Sequence, residues 1–117
     1  MQRAAISHAL FITGLAVALV AGVPRAAAAQ DAKHGEQVYA AQKCSVCHSI
    51  AGKGGKASPL DGVGTKLSAA EIREWIVEPV AMAKKTGSTK KPVMPKRYDK
   101  LPAADVDALV AYMQTLK

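Results

Sequence analysis

The sequence predicts an all-α fold on three observations: apolar residues returning at helical spacing near both ends of residues 30–117, a helix-capping signal between them, and no alternating β-branched run of useful length. Three or more helices wrapped in irregular loop are expected, with no internal repeat. A chain of 117 residues has room for one domain and little more.

The first 29 residues read as an export signal and not as part of that domain. Met1-Gln2-Arg3 is positively charged, Ala9 to Val23 is apolar and uncharged, and Arg25 precedes Ala26-Ala27-Ala28-Ala29. The apolar run is shorter than the roughly 20 residues a membrane-spanning helix needs, and Thr13, Gly14 and Gly22 interrupt it. Cleavage before Gln30 is therefore expected, leaving a domain of residues 30–117 with no stable membrane insertion. Arg3 and Arg25 leave with the signal and no acids do, so the charge of +7 becomes +5.

The remaining 88 residues hold only four aromatic side chains, Tyr39, Trp75, Tyr98 and Tyr112. Chains of that size bury about 60–65 % of their unfolded surface and often need a staple. A large apolar cofactor would complete such a core.

The elements follow in order. Asp31 is placed to cap a helix running to about Gln42, with Ala32, Gly35, Val38, Tyr39 and Gln42 along one side. Ala51-Gly52-Lys53-Gly54-Gly55-Lys56 opens a long irregular stretch that continues through Pro59, Gly62 and Gly64. Ser68-Ala69-Ala70-Glu71 fits a capping box, in which the two polar side chains satisfy amides left open at a helix start. That helix presents Ile72, Trp75 and Ile76 and is expected to end near Glu78, because Pro79 cannot extend the hydrogen-bond ladder. Met82 to Tyr98 is rich in lysine and shows no sustained period, so it reads as loop with at most a helical turn at its start. Pro102 suits the first position of a last helix, Asp105 and Asp107 favour its N-terminus, and Val106, Leu109, Val110, Met113 and Leu116 mark its core face.

The only two cysteines lie in Cys44-Ser45-Val46-Cys47-His48, and C-x-x-C-H is the attachment pattern of haem c. Each thiol adds across one of the two vinyl groups, two intervening residues span their separation, and the adjacent histidine is held beneath the iron. The competing readings lack support. A thioredoxin-like pair needs a preceding strand in a βαβ frame. A structural zinc site needs four ligands, and beyond the cysteines residues 30–117 offer only His34 and His48. A disulfide across two residues would be strained and would leave the small core unexplained.

The opposite face of the iron calls for a second ligand, and methionine there raises the reduction potential because its soft thioether favours Fe(II). Met113 belongs to the apolar face of the last helix and Met82 reads as a gap-filler. Met94 stands in a loop between Pro92 and Pro95, which restrict the backbone around it, and is the expected ligand; His34 is expected to be exposed.

These residues resemble the class I c-type cytochromes, the small monohaem bacterial kind, over essentially all of residues 30–117. The resemblance rests on Gly35 and Tyr39 ahead of Cys44 to His48, then Trp75, Met94-Pro95 and Leu109-Val110-Ala111-Tyr112. It implies the cytochrome c fold around one covalent haem, with His48 and Met94 as axial ligands of the iron and Trp75 beside the cofactor. It also implies a right-angle crossing of the first and last helices with Gly35 against Tyr112, and a backbone carbonyl from the proline loop holding His48. In Ser58-Pro59-Leu60-Asp61-Gly62 that carbonyl is Ser58's or Pro59's, and Pro59 is assigned.

Lys84, Lys85, Lys90, Lys91, Lys96, Arg97 and Lys100 surround Met94. They are read as a docking surface for an acidic redox partner, since such charge accelerates encounter at low salt. Nucleic acid is not expected, because the chain is exported and has no aromatic or helical reading surface. The expected function is electron transfer by a soluble periplasmic carrier without substrate chemistry of its own, between respiratory or dehydrogenase partners. A dedicated electron-accepting subunit of a periplasmic oxidoreductase is the alternative. Chemistry at the iron, such as peroxide reduction, would need an open sixth position.

Overall fold

A computed structural model describes residues 24–117, and the expected apolar signal run lies outside them. The described residues form five α-helices, two short 3-10 turns and one small hairpin. No helix among them is long and apolar enough to cross a membrane.

Helix α1 spans Pro24–Ala41 and starts earlier than expected. Asp31 therefore lies inside it and caps nothing; alanines 26–29 are the strongest helix formers and carry the helix back through them. The helix ends where Lys43 turns into the left-handed region, φ 55°. Strands β1, Ser49–Ile50, and β2, Lys53–Gly54, pair antiparallel with Ser49 opposite Gly54 and Ile50 opposite Lys53. Ala51 and Gly52 both have positive φ, the geometry of a tight hairpin turn, and the Asp61 carboxylate accepts from the Ala51 amide at 2.8 Å. Strands of two residues are too short to leave an alternation in the sequence.

Helix α2, Val63–Lys66, is one turn that packs where α5 ends, with the Gly64 amide donating to the Leu116 carbonyl at 2.8 Å. Helix α3, Ala69–Val77, starts at the expected capping box: Ser68 Oγ accepts from the Glu71 amide, and Glu71 accepts from the Ser68 amide. The expected loop is helical at its start. Pro79 ends α3 and also opens α4, Pro79–Thr86, because a proline at the first position loses only a hydrogen bond the helix would not make. Gly87, φ 65°, closes α4. After an irregular stretch and a 3-10 turn at Tyr98–Lys100, α5 runs Ala103–Thr115 with Pro102 just before it.

Helices α1 and α5 make the closest contact in the fold. A Cβ on Gly35 would fall onto the Ala108 carbonyl and within 2.7 Å of Tyr112 Cβ, so only glycine lets the two backbones approach this far. Gly35 thus packs against Tyr112, as expected, and against the α5 backbone as well. His34 pairs with Asp105 across the same crossing at 2.8 Å. Arg73 of α3 pairs with Asp107 of α5.

The buried cluster draws Val38 from α1, Ile72 and Ile76 from α3, Tyr98 from the 3-10 turn, and Val106, Leu109 and Met113 from α5. Tyr98, only 6 % exposed, is a core residue that the sequence pattern assigned to the end of a loop. Met113 and Met82 are buried, in keeping with packing roles.

Candidate functional site

The exit from α1 presents the cysteine motif. Lys43 turns the chain, Cys44–Val46 form a 3-10 turn, and the amides of Cys47 and His48 both donate to the Cys44 carbonyl, at 3.2 and 3.0 Å. The motif is thereby one closed turn. Both cysteines are free thiols, Cys44 half-buried and Cys47 exposed. Burial pushes the Cys44 thiol up, while its backbone hydrogen bond and the nearby Arg97 charge pull the other way.

The hairpin covers the back of that turn. The Gly55 amide donates to the Ser45 carbonyl at 2.8 Å. Gly54, φ 113°, lies so close that a Cβ there would meet the His48 carbonyl and come within 3.1 Å of the Ser45 oxygen. A Cβ on Gly55 would sit 2.9 Å from the Cys47 carbonyl carbon. The glycine-rich sequence, read as irregular loop, is thus what allows backbone to lie directly on the motif.

His48 Nδ1 is 2.8 Å from the Ser58 carbonyl oxygen. A carbonyl only accepts, so Nδ1 carries the ring proton and donates, which leaves the Nε2 lone pair for a metal. The assignment of Pro59 is corrected: Ser58 supplies the acceptor, and Pro59 is exposed. The cause is backbone anchoring on both sides of the proline, with the Ser58 amide donating to Cys47 O at 3.3 Å and the Leu60 amide to Ser49 O at 2.9 Å. These bonds lay the segment beside the motif and turn the Ser58 carbonyl toward the imidazole.

Met94 is half-buried and packs against the core cluster, although it belongs to no helix or strand. Trp75 is half-buried on α3 between the buried Ile72 and Ile76. The segment after Met94 is pinned by Arg97, whose guanidinium lies 5.0 Å from the Tyr98 ring centroid and donates to Tyr98 Oη at 3.0 Å. No local sequence signal marks that stack, because it depends on Tyr98 being buried.

Of the seven basic residues, Arg97 is stacked on Tyr98 and the other six divide into two groups. Lys85 donates to Glu74 at 3.2 Å and Lys96 to Glu78 at 2.8 Å, tying α4 and the Met94 segment to α3. Glu78 raises the Lys96 ammonium, first through this hydrogen bond and then through its charge. Lys84, Lys90, Lys91 and Lys100 are exposed and form no ion pair among the described residues.

The residues present fit a haem joined through two thioethers. Such a group needs two unpaired thiols two residues apart and an imidazole with a fixed tautomer, and Cys44, Cys47 and His48 have these properties. The family model described as Cytochrome c matches residues 32–117, most of the chain. No curated protein and no solved structure matches it. On the family match, the chain belongs to the cytochrome c family, whose members carry electrons on a covalently bound haem c with its iron.

Proposed function

We propose that the protein is a periplasmic electron carrier with its haem joined to Cys44 and Cys47 and its iron held between His48 and Met94. The observation that supports this most directly is the Ser58 carbonyl on His48 Nδ1, which leaves Nε2 available to a metal and restrains the ring. Met94 supports it as a half-buried thioether that packs against the core although it belongs to no helix or strand. When bound, the haem iron supplies a one-electron Fe(III)/Fe(II) couple.

The chain's own residues do the rest. Ser58 and the closed turn from Cys44 hold the imidazole still, so little rearrangement accompanies a change of oxidation state. A Met94 thioether held on the iron would keep water and small molecules from it, as a carrier without substrate chemistry requires. Trp75, beside the buried Ile72 and Ile76, adds apolar surface against the cofactor. Removal of residues 1–29 on export leaves residues 30–117 as the working domain.

Docking falls chiefly to Lys84, Lys90, Lys91 and Lys100, since Lys85 and Lys96 are already paired. These charges suit an acidic redox protein that binds briefly and leaves after transfer. A dedicated subunit of a periplasmic dehydrogenase or respiratory complex would use the same surface. Co-purification with an enzyme subunit at high salt would select that second role.

The test of ligation is carbon monoxide binding to the reduced protein at neutral pH. Slow or negligible binding is expected, because Met94 occupies the sixth position. Rapid stoichiometric binding would overturn the six-coordinate reading and admit chemistry at the iron.

A further inference from the structure

The His48 side of the site has a second tie, one that no spacing in the sequence reveals. Tyr39 Oη donates to the carbonyl oxygen of His48 at 3.3 Å. The Tyr39 ring meets Tyr112 edge to face, with centroids 5.8 Å apart and planes at 69°. Tyr112 is also the residue whose Cβ faces Gly35 at the α1–α5 crossing. One tyrosine thus joins the tightest helix contact in the fold to the backbone of the proposed iron ligand.

The His48 carbonyl is confined on its other side by Gly54, where a Cβ would lie 3.2 Å from the carbonyl carbon. Leaving a part-buried carbonyl without its partner carries a free-energy cost.

We propose that Tyr39 is a positioning residue for His48: its hydroxyl fixes the His48–Ser49 peptide while the Ser58 carbonyl fixes the ring. The imidazole is then held at its backbone and at Nδ1, and its orientation follows the α1–α5 crossing. The proposal rests on reading His48 as an axial ligand. Loss of the tie loosens the imidazole, and the harder Fe(III) loses more from weaker nitrogen donation than Fe(II) does. The Tyr39 hydroxyl therefore favours the oxidised state.

The experiment uses purified haem-loaded protein and two variants, Tyr39→Phe and Tyr112→Phe. Each keeps its ring and loses one hydroxyl, but only the first removes the tie to His48. Paramagnetic NMR of the oxidised proteins reports the His48 ring orientation, and redox titration reports the midpoint. Tyr39→Phe is expected to shift the His48 ring resonances and to raise the reduced-to-oxidised ratio about threefold at fixed ambient potential, roughly 28 mV for one electron. Tyr112→Phe is expected to match the wild type in both.

Wild-type resonances and midpoint in Tyr39→Phe would overturn the positioning role, even if its unfolding midpoint fell. Equal changes in the two variants would also overturn it, since a general packing effect would then suffice. A wild-type spectrum without histidine ligation would instead sink the underlying ligand reading, so the two failures are distinguishable.

Discussion

The α1–α5 crossing and the segment from Gly87 to Arg97 are built on opposite terms. At the crossing, Gly35 lets backbone meet backbone, His34 reaches Asp105, and both helices supply the buried cluster. From Gly87 to Arg97 no helix or strand is present, and Met94 is held by its own core contact, the Lys96–Glu78 pair and the Arg97–Tyr98 stack. Close backbone packing marks the crossing, whereas one proposed ligand lies in a segment without regular structure. The crossing and the Met94 ligand should therefore respond separately to substitution.

The strongest attack on the first region is Gly35→Val. Its side chain would be forced into the Ala108 carbonyl and Tyr112 Cβ, and the helices would have to separate. Overpacking against backbone predicts a loss of about 3 kcal/mol, read as the unfolding free energy in denaturant, with a marked fall in haem-loaded yield. An unfolding curve like the wild type's would mean that the crossing is not the main source of stability.

Met94→Ala makes the complementary attack. Truncating a half-buried methionine should cost about 1–2 kcal/mol, less than Gly35→Val, and leave the helix content intact. The reduced variant should bind carbon monoxide rapidly, and its midpoint potential should fall as the thioether is lost. Binding as slow as in the wild type would remove Met94 from the iron.

Ser68→Ala touches neither region and calibrates the scale. Loss of the α3 cap should cost about 1 kcal/mol in thermal or denaturant unfolding. The capping hydrogen bonds, from the Ser68 backbone first and its hydroxyl second, hold the Glu71 carboxyl below its ordinary 4.5. A lowered folded value means that this contribution is fully present above the ordinary pKa and is lost as the pH falls through the lowered one. The gap between wild type and Ser68→Ala should accordingly narrow in acid. A constant gap would show that the bond from the Ser68 hydroxyl to Glu71 contributes nothing, since the backbone bond survives the substitution.

The smallest stability effect belongs to the exposed lysines. Lys90→Glu with Lys91→Glu should leave the unfolding midpoint unchanged within error, while slowing reduction by an acidic partner several-fold at low salt. If the rate held constant across salt concentrations, the surface would not be a docking site.

What the sequence made legible follows the range of each interaction. The capping box at Ser68 and Glu71 was readable because it closes over three residues. The α5 core face was readable because periodicity survives in a long helix. Helix α4 was hidden by a real ambiguity: Pro79 stops one helix and starts the next, and only packing decides which matters. Tyr98 gave no sign of burial because a single 3-10 turn has no period to display. In the site, Cys44, Cys47 and His48 form a local pattern. The choice of Ser58 over Pro59 depends on two backbone bonds to Cys47 and Ser49, and the Tyr39 tie depends on how α1 packs beside the motif.

The His34–Asp105 pair joins residues 71 positions apart, so the α1–α5 contact lies between the two ends of the described residues. Closing a loop of that length costs roughly 4 kcal/mol in chain entropy before any local contact repays it. The chain must therefore search for its own ends, and folding should be slower than its helical content alone suggests. Covalent linkage of those ends would remove much of that search, and a circular variant opened near Ser88–Lys90 would retain the crossing as a local hairpin of helices.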